Sequence, residues 1–352
     1  MTTRPSAPRC NGHYRAAVAP VALPGSLPAI GPGSMRLGPL MPAKPIIEVV
    51  AGVLLRPDGC FLLGSRPEGK PYAGYWEFPG GKVEPGESHE QALARELDEE
   101  MGIKVVRASY WLTRVHHYEH ASVRLRFYRV WSWQGEPRPL EGQQFSWMVP
   151  GQRAVTPMLP ANGPILRALE LPALYAITCA AEIGAQAVLD RLSRAHAPKL
   201  VQVREPEMSR AELERFCAQV SERVHAYQGR VLVNADPDWL PGWPVDGVHL
   251  NARRLAELER RPEFAWVGAS VHDGAGLERA GLLELDYALL GHVCATPSHP
   301  YQAPLGWDGF ARIQHGAAPL PVYALGGLQA RDLSAAEAHG AHGVAQMRGA
   351  WL

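Results

Sequence analysis

Apolar and polar positions follow two different rhythms along this chain, and the change comes near Pro172. In the first half, residues 46–55 are a continuous apolar run that predicts a buried strand. Pro57-Asp58-Gly59 predicts a turn, with residues 60–63 returning as the second strand of a hairpin. A loop rich in Gly, Pro and Tyr (66–75) leads to Trp76-Glu77-Phe78-Pro79. Residues 105–115 and 122–133 read as strands, the second alternating Val123, Leu125 and Phe127 against Arg124, Arg126 and Tyr128. A short strand at 145–149 and a helix opening at 162–169 close this half. Beyond Pro172, short apolar strands alternate with helical stretches: strands at 174–178, 200–203, 231–234, 245–250, 266–270, 287–291, 322–325 and 343–346, with helices at 185–195 and 211–227. Strand and helix taken in turn in this way predict a parallel barrel, a compact (β/α)8 TIM-type fold. Each half carries its own apolar positions, so the pattern predicts two domains, 46–171 and 174–352, the second folding by itself.

Between the early strands lies a helix with unusual charge. Ser88 and Gln91 form a capping box, Ala92, Leu93, Ala94 and Leu97 favour helix, and Gly102 is placed to end it. Glu96, Glu99 and Glu100 fall on one face. Three carboxylates crowded there repel one another, and a hard cation relieves the repulsion while gaining oxygen ligands. Arg95, four residues before Glu99, can brace one of them. The alternative, a plain solvated acidic face, has no reason to carry the wider spacing. From Gly81 to Ile103 the chain reads G-x5-E-x7-R-E-U-x-E-E-x-G-U (U aliphatic), nine specified positions in 23 residues. This resembles the Nudix box at every one of those positions. The resemblance implies an α/β/α sandwich with a mixed sheet. It also implies Mg²⁺, with Mn²⁺ as a substitute, held by Glu96, Glu99, Glu100 and the Gly80 carbonyl.

Composition narrows the partners. The chain has 352 residues, 46% of them hydrophobic, and a net charge of zero, so it offers no electrostatic footprint for duplex nucleic acid or an anionic membrane. Nucleotide chemistry would therefore act on free, small-molecule nucleotides. Five scattered cysteines without a C-x-x-C suit a reducing, cytoplasmic setting, and no apolar run is long enough to span a bilayer. The oligomeric state is left open. Residues 1–45 are rich in Pro, Gly and Ala and read as a disordered tail, or as sequence ahead of a start at Met35 or Met41. Arg4, Arg9 and Arg15 support the competing reading, a targeting peptide.

Outside the box, residues 46–171 are similar to MutT-type Nudix hydrolases at Trp76-Glu77-Phe78-Pro79-Gly80-Gly81-Lys82, at Trp131-Ser132-Trp133-Gln134-Gly135-Glu136-Pro137 and at Leu159-Pro160-Ala161-Asn162-Gly163-Pro164-Ile165. The resemblance implies hydrolysis of 8-oxo-dGTP to 8-oxo-dGMP and pyrophosphate by water attack at the β-phosphorus, an activity that cleanses the nucleotide pool before DNA replication. It implies substrate contacts from Arg66, Glu77, Phe78, Pro79, Gly80 and Asn162. An amide has both a donor and an acceptor, so Asn162 can read a purine whose N7 carries hydrogen; an N-cap for the helix that follows is the other reading. Glu141 stands where relatives supply a further carboxylate from a loop, as metal ligand or base, and is otherwise an ordinary loop acid. Glu96 and Glu141 are both candidates for the base. Pro71 stands where some relatives carry His, and nothing is carried over there. His116, His117 and His120 sit at a strand end without metal-site spacing and are expected at the solvent or the substrate rim.

Residues 174–352 resemble thiamine-phosphate synthase. The matching stretches are Leu174-Tyr175-Ala176-Ile177-Thr178, Val201-Gln202-Val203-Arg204-Glu205, Asp246-Gly247-Val248-His249-Leu250, Gly268-Ala269-Ser270-Val271-His272 and Ala324-Leu325-Gly326-Gly327-Leu328. The resemblance implies a phosphate or ligand site at Gln202, Arg204, Asn234, Ser270, Thr296 and Gly327. Four departures remove charge that a diphosphate leaving group needs. R-E-K reads Arg204-Glu205-Pro206, and the metal-binding N-D reads Asn234-Ala235. The second metal Asp is absent from Asn251-Ala252-Arg253-Arg254, and T-x-T-K reads Thr296-Pro297-Ser298-His299. Asp236 is the nearest substitute. These departures predict a barrel impaired in synthase catalysis. The alternatives are a bifunctional hydrolase and synthase, a Nudix hydrolase acting on thiamine-pathway phosphates, and a barrel that senses a ligand without catalysis.

Overall fold

The computed structural model describes residues 46–351 apart from 119–120, 153, 195–196 and 298–300. The expectations for residues 1–45, His120, Ser298 and His299 lie outside the described residues. Lys44 to Leu352 form one compact unit.

In the first lobe, β1 (Ile46–Leu54), β2 (Phe61–Ser65), β3 (Trp76–Glu77) and β4 (Gly80–Lys82) precede helix α1 (His89–Met101). Strands β5 (Lys104–His117), β6 (Ser122–Gln134) and β7 (Phe145–Met148) follow, then α2 (Gly163–Leu169). They form a mixed sheet ordered β4-β1-β6-β5 and a smaller antiparallel sheet ordered β3-β2-β7. α1 buries Leu93, Leu97 and Met101 against Val50, Leu54 and Leu62, while α2 sets Ile165 and Ala168 against Val53, Phe61 and Phe127. This is the expected mixed-sheet sandwich. The expected hairpin of residues 46–55 with 60–63 forms only at its tip, where Leu55 bridges Phe61 and the Arg56 N–H donates to the Cys60 carbonyl at 2.9 Å; β1 and β2 then part into different sheets. The reason lies in burial. Val50–Leu54 and Phe61–Gly64 are buried without alternation, so each strand needs cover on both faces, and the turn hands the chain from one sheet to the other.

The second lobe runs β8 (Leu174–Ile177), α3 (Ala180–Ile183), α4 (Ala185–Leu192), β9 (Leu200–Val203), α5 (Arg210–His225), β10 (Arg230–Val233), β11 (Gly247–Leu250) and α6 (Ala252–Glu257). It continues through β12 (Trp266–Val271), α7 (Gly274–Leu282), β13 (Tyr287–Gly291), α8 (Gly306–Ala317), β14 (Val322–Leu325), α9 (Leu333–Ala338) and β15 (Gly343–Gln346). The eight strands are parallel and close into a barrel through β15 and β8. Tyr175, Tyr287 and Tyr323 fill its interior. The Tyr175 and Tyr287 hydroxyls lie 2.8 Å apart. His249 bridges onward, with Nδ1 3.0 Å from the Tyr287 hydroxyl and Nε2 2.9 Å from Ser270 Oγ.

The first lobe covers the end of the barrel where the strands begin. Arg129 of β6 donates to the carbonyls of Ala341 and His342, just ahead of β15. Its guanidinium lies between Trp111 and Trp131, 5.6 and 4.7 Å from their ring centres. The Thr113 N–H donates to Ala318 at 3.0 Å and Arg114 donates to Pro319 at 2.9 Å, both ahead of β14. Arg167 of α2 pairs with Asp286 and lies 3.8 Å from the Trp266 ring centre, and Arg230 donates to the Glu170 carbonyl at 2.8 Å. Gln314 of α8, fully buried, donates to the carbonyls of Trp111 and Gly340.

This seam ties the lobes through buried polar contacts, while each keeps its own apolar core. Replacing Arg129 with Ala would leave two buried carbonyls without donors, so a loss of about 3 kcal/mol is expected. Denaturant unfolding of the full chain measures it, and a loss under about 0.5 kcal/mol, typical of surface changes, would show that the seam carries little.

A second prediction concerns acid. Burial holds His249 and His342 down to about 3, with the charge of Arg204 and of Arg129 adding to the respective shifts. Their folded values lie below the unfolded value of about 6.5. The stability they contribute is therefore complete above pH 6.5 and is lost as pH falls toward 3, at about 1.4 kcal/mol per pH unit for each. Glu100, raised to about 8, acts with the opposite sign as pH rises through its own window, so the clean readout is a difference between proteins. His342→Gln is expected to flatten the slope of stability against pH between 6.5 and 5 by about 1.4 kcal/mol per unit relative to the parent. Parallel slopes would refute the assignment.

Candidate active site and barrel cavity

In the first lobe the box folds as its residues dictate. Ser88 accepts from the Gln91 N–H at 3.2 Å and Gln91 accepts from the Ser88 N–H at 2.8 Å, while Gly102 ends α1 in the left-handed region. β4 lies against α1 so closely that a side chain at Gly81 would meet the Glu96 carboxylate at 2.2 Å. Arg95 braces more than one partner. It donates to Glu87 at 2.9 and 3.0 Å, to Glu96 at 2.9 Å, to Glu99 at 3.2 Å and to the Lys82 carbonyl at 3.0 Å.

Glu100 points inward and accepts from the Gly80 N–H at 3.0 Å. Burial, helped by the neighbouring carboxylates of Glu77, Glu96 and Glu141 and opposed by the Gly80 bond, pushes its carboxyl up to about 8. Burial raises Glu96 as well, against the pull of Arg95. Glu141 closes the cleft from the far side, 2.7 Å from Lys70 Nζ, and the cleft itself is shallow, about 20 Å³. Arg66 donates to both oxygens of Glu77 at 2.7 Å and to the Pro71 carbonyl at 2.6 Å. Pro79 lines the cleft, whereas Phe78 packs in the core, its ring centre 5.8 Å from those of Phe61 and Phe127.

Glu96, Glu100, Glu141 and Glu77 thus come together, with Glu99 more than half exposed and turned to Arg95. Among the described residues no three acidic, histidine or cysteine side chains converge closely enough to hold a metal ion as they stand. The donor set fits a hard divalent cation by its oxygen chemistry and by the mutual repulsion that lifts Glu100. Sequence reasoning missed Lys70 and Gln143. Gln143 accepts from the Glu141 N–H and donates to the Glu100 carbonyl, each at 2.7 Å, tying the Glu141 loop to α1. No spacing rule marks a lone lysine or glutamine on a loop.

Asn162 is almost fully buried at the foot of α2, and its side chain makes no capping bond there. Its amide nitrogen donates to the Trp76 carbonyl at 3.4 Å and to Met158 Sδ at 3.9 Å. Among the described residues no hydrogen bond reaches Oδ1. His117 Nδ1 lies 2.8 Å from Ser122 Oγ and the His116 ring lies 4.4 Å from that of Tyr118, both at the strand end.

The barrel carries a larger cavity, about 690 Å³, where its strands end. Gln202, Arg204, Asn234, Ser270, Thr296 and Gly327 all line it. Gly327 has φ +68°, and a Cβ there would meet the Ala295 carbonyl oxygen at 2.6 Å, so the Gly-Gly pair is sterically required. Arg254 and Asp236 also line the cavity and pair at 3.2 Å, a contact that no local pattern announced.

Known proteins divide at the same place. Residues 46–169 match the family described as NUDIX domain, and residues 174–350 match Thiamine monophosphate synthase. The first lobe is 40% identical over 123 residues to the "CTP pyrophosphohydrolase" of Escherichia coli (strain K12), covering 35% of this chain and 90% of that protein. It is 39% identical over 126 residues to the "8-oxo-dGTP diphosphatase" of Haemophilus influenzae, covering 36% of this chain and 93% of that protein. The barrel is 30% identical over 182 residues to the "Putative thiamine-phosphate synthase 2" of Aquifex aeolicus (strain VF5), covering 50% of this chain and 96% of that protein. Nudix hydrolases generally need divalent metal ions, and the two Nudix relatives act on small nucleotides. With the box, both folds and both sets of relatives in agreement, the chain belongs to the Nudix hydrolases through its first lobe and to the thiamine monophosphate synthase family through its barrel.

Proposed function

We propose that the first lobe is a Mg²⁺-dependent 8-oxo-dGTP diphosphatase, releasing 8-oxo-dGMP and pyrophosphate, and that the barrel keeps a ligand site without the synthase reaction. The observation that carries the first part is Asn162. Its Nδ2 is committed to Trp76 and its Oδ1 is left as an acceptor. A purine oxidised at C8 has hydrogen on N7, the donor such an acceptor reads, whereas guanine offers a lone pair there and meets repulsion.

The phosphate chemistry follows from the charged groups. Glu96, Glu99, Glu100 and the Gly80 carbonyl would hold the cation, with Glu141 as a further ligand from its loop. When bound there, Mg²⁺, or Mn²⁺ in its place, neutralises phosphate oxygens and makes the attacking water more acidic. Arg66, fixed by Glu77 and Pro71, steadies the phosphates. Glu96 is held by Arg95 and its proton affinity is raised by burial, so it takes the proton of the water that attacks the β-phosphorus. Glu99, now turned to Arg95, and Glu100, now bonded to the Gly80 N–H, would be the carboxylate ligands.

Glu99→Gln and Glu100→Gln keep side-chain size and remove charge. Each is expected to lower turnover by orders of magnitude, and Glu96→Gln by about 10²–10⁴-fold, with melting temperatures close to the parent. Near-parental rates at saturating Mg²⁺ would remove these glutamates from the machinery.

Substrate identity is tested by a panel on the full chain: 8-oxo-dGTP, dGTP, CTP and thiamine diphosphate, with products identified. The relative named for CTP makes CTP the second reading, since an amide can also pair with a cytosine edge. Asn162→Ala is expected to lower the ratio of kcat/KM for 8-oxo-dGTP over dGTP by about 1–3 kcal/mol, roughly five- to hundredfold. An unchanged ratio removes Asn162 as the base reader, and faster CTP turnover reassigns the substrate. The same protein given a pyrimidine diphosphate and a thiazole phosphate with Mg²⁺ is expected to form no joined product; formation of that product would make it bifunctional.

A further inference from the structure

The synthase resemblance implies two metal-binding carboxylates, and the cavity's side chains do not fit such a metal. One position is Ala235, and the other falls within Asn251 to Arg254. The carboxylates that do line the cavity are already engaged. Glu205 accepts from the N–H groups of Ala180 at 2.8 Å and Ala181 at 3.3 Å. Asp236 accepts from Arg254 Nη2 at 3.2 Å and, through its other oxygen, from the Asp238 N–H at 3.2 Å. A cation entering here would meet the Arg254 guanidinium, which already holds Asp236.

That guanidinium changes what the cavity can bind. Arg254 is partly buried and fixed by Asp236, so its remaining N–H groups are oriented in advance. Arg204 lines the same space and has no carboxylate within ion-pair distance among the described residues. Its charge reaches as far as His249 on the barrel's inner wall. Ser270 adds a hydroxyl, with His249 behind it at 2.9 Å. A volume of about 690 Å³ far exceeds a phosphate group, and Met208 and Leu289 give part of the wall an apolar character.

We infer that the barrel binds a phosphate-bearing small molecule with an apolar or aromatic body, and that it does so without a divalent cation. The Arg254 guanidinium, anchored by Asp236, does the charge balancing assigned to a metal ion elsewhere in the family, and Arg204 is the second cationic contact. A guanidinium fork offers two parallel N–H donors to phosphate oxygens, and it remains in place when the metal is removed. The inference rests on the reading of the barrel as a site without synthase activity, but it concerns binding and is read by a different measurement.

The experiment is calorimetric titration of the full chain with inorganic pyrophosphate, once in EDTA and once in Mg²⁺. In EDTA the acidic cleft of the first lobe repels the anion, so heat reports on the barrel. Binding is expected in EDTA, weakened ten- to hundredfold by Arg254→Ala and by Arg204→Ala, and weakened less by Arg254→Lys, which keeps charge without the fork. Thermal melting of each variant separates lost binding from lost folding, and Arg254→Lys carries the test if Arg254→Ala does not fold. Binding only in Mg²⁺, no binding in either buffer, or equal affinity in the parent and the arginine variants would each overturn the inference. Joined product in the synthase assay would instead overturn the reading of the barrel's lost catalysis, leaving the EDTA titration to decide this point.

Discussion

A guanidinium taken almost wholly out of water holds the two lobes to one another. Arg129 is 3% exposed and, among the described residues, pairs with no carboxylate; its two terminal nitrogens donate to main-chain carbonyls of the barrel, its plane lies against Trp111 and Trp131, and its Nε is left without a partner. Burial pulls its proton affinity down to about 10, which leaves it charged at any physiological pH. A buried charge is tolerable only where every contact is kept, so the position of β6 and the entry into β15 are fixed together. α1 and the box ride on the same sheet as β6, and the barrel floor rides on the segment ahead of β15. The geometry of both ligand sites is in this sense built outward from one seam.

The two candidate sites differ in the sign of their charge. The first lobe concentrates carboxylates, and burial together with those acidic neighbours raises Glu100 to about 8. The barrel cavity carries guanidiniums, with its carboxylates engaged by backbone N–H groups and by Arg254.

Much of this was legible in the sequence because the signals were local or periodic. The capping box at Ser88, the shared face of Glu96, Glu99 and Glu100, and the strands at 200–203, 287–291, 322–325 and 343–346 depend on residues near one another in the chain, and the structure has them as read. β3 and β4, two and three residues long, are too short for any period to show. The pairing of β1 escaped because apolar runs say that a strand is buried without naming its partner, and the short turn favoured the nearest one. The reach of Lys70 to Glu141 and of Asp236 to Arg254 joins loops far apart in sequence, where one residue among many polar ones gives no sign. The seam was invisible for the same reason: Arg129 looks like one more charged residue on an alternating strand until the barrel closes over it.

Placing the first lobe at the strand-entry end of the barrel, with the cavity at the strand-exit end, also decides what the fusion can do for traffic between sites. Tyr175, Tyr287, Tyr323 and His249 fill the bore between those ends with packed, hydrogen-bonded side chains. A product leaving the hydrolase cannot travel down that axis to the barrel's mouth; it must diffuse around the outside through solvent. The covalent link therefore confers equal dosage and shared lifetime on the two lobes without an axial conduit between them.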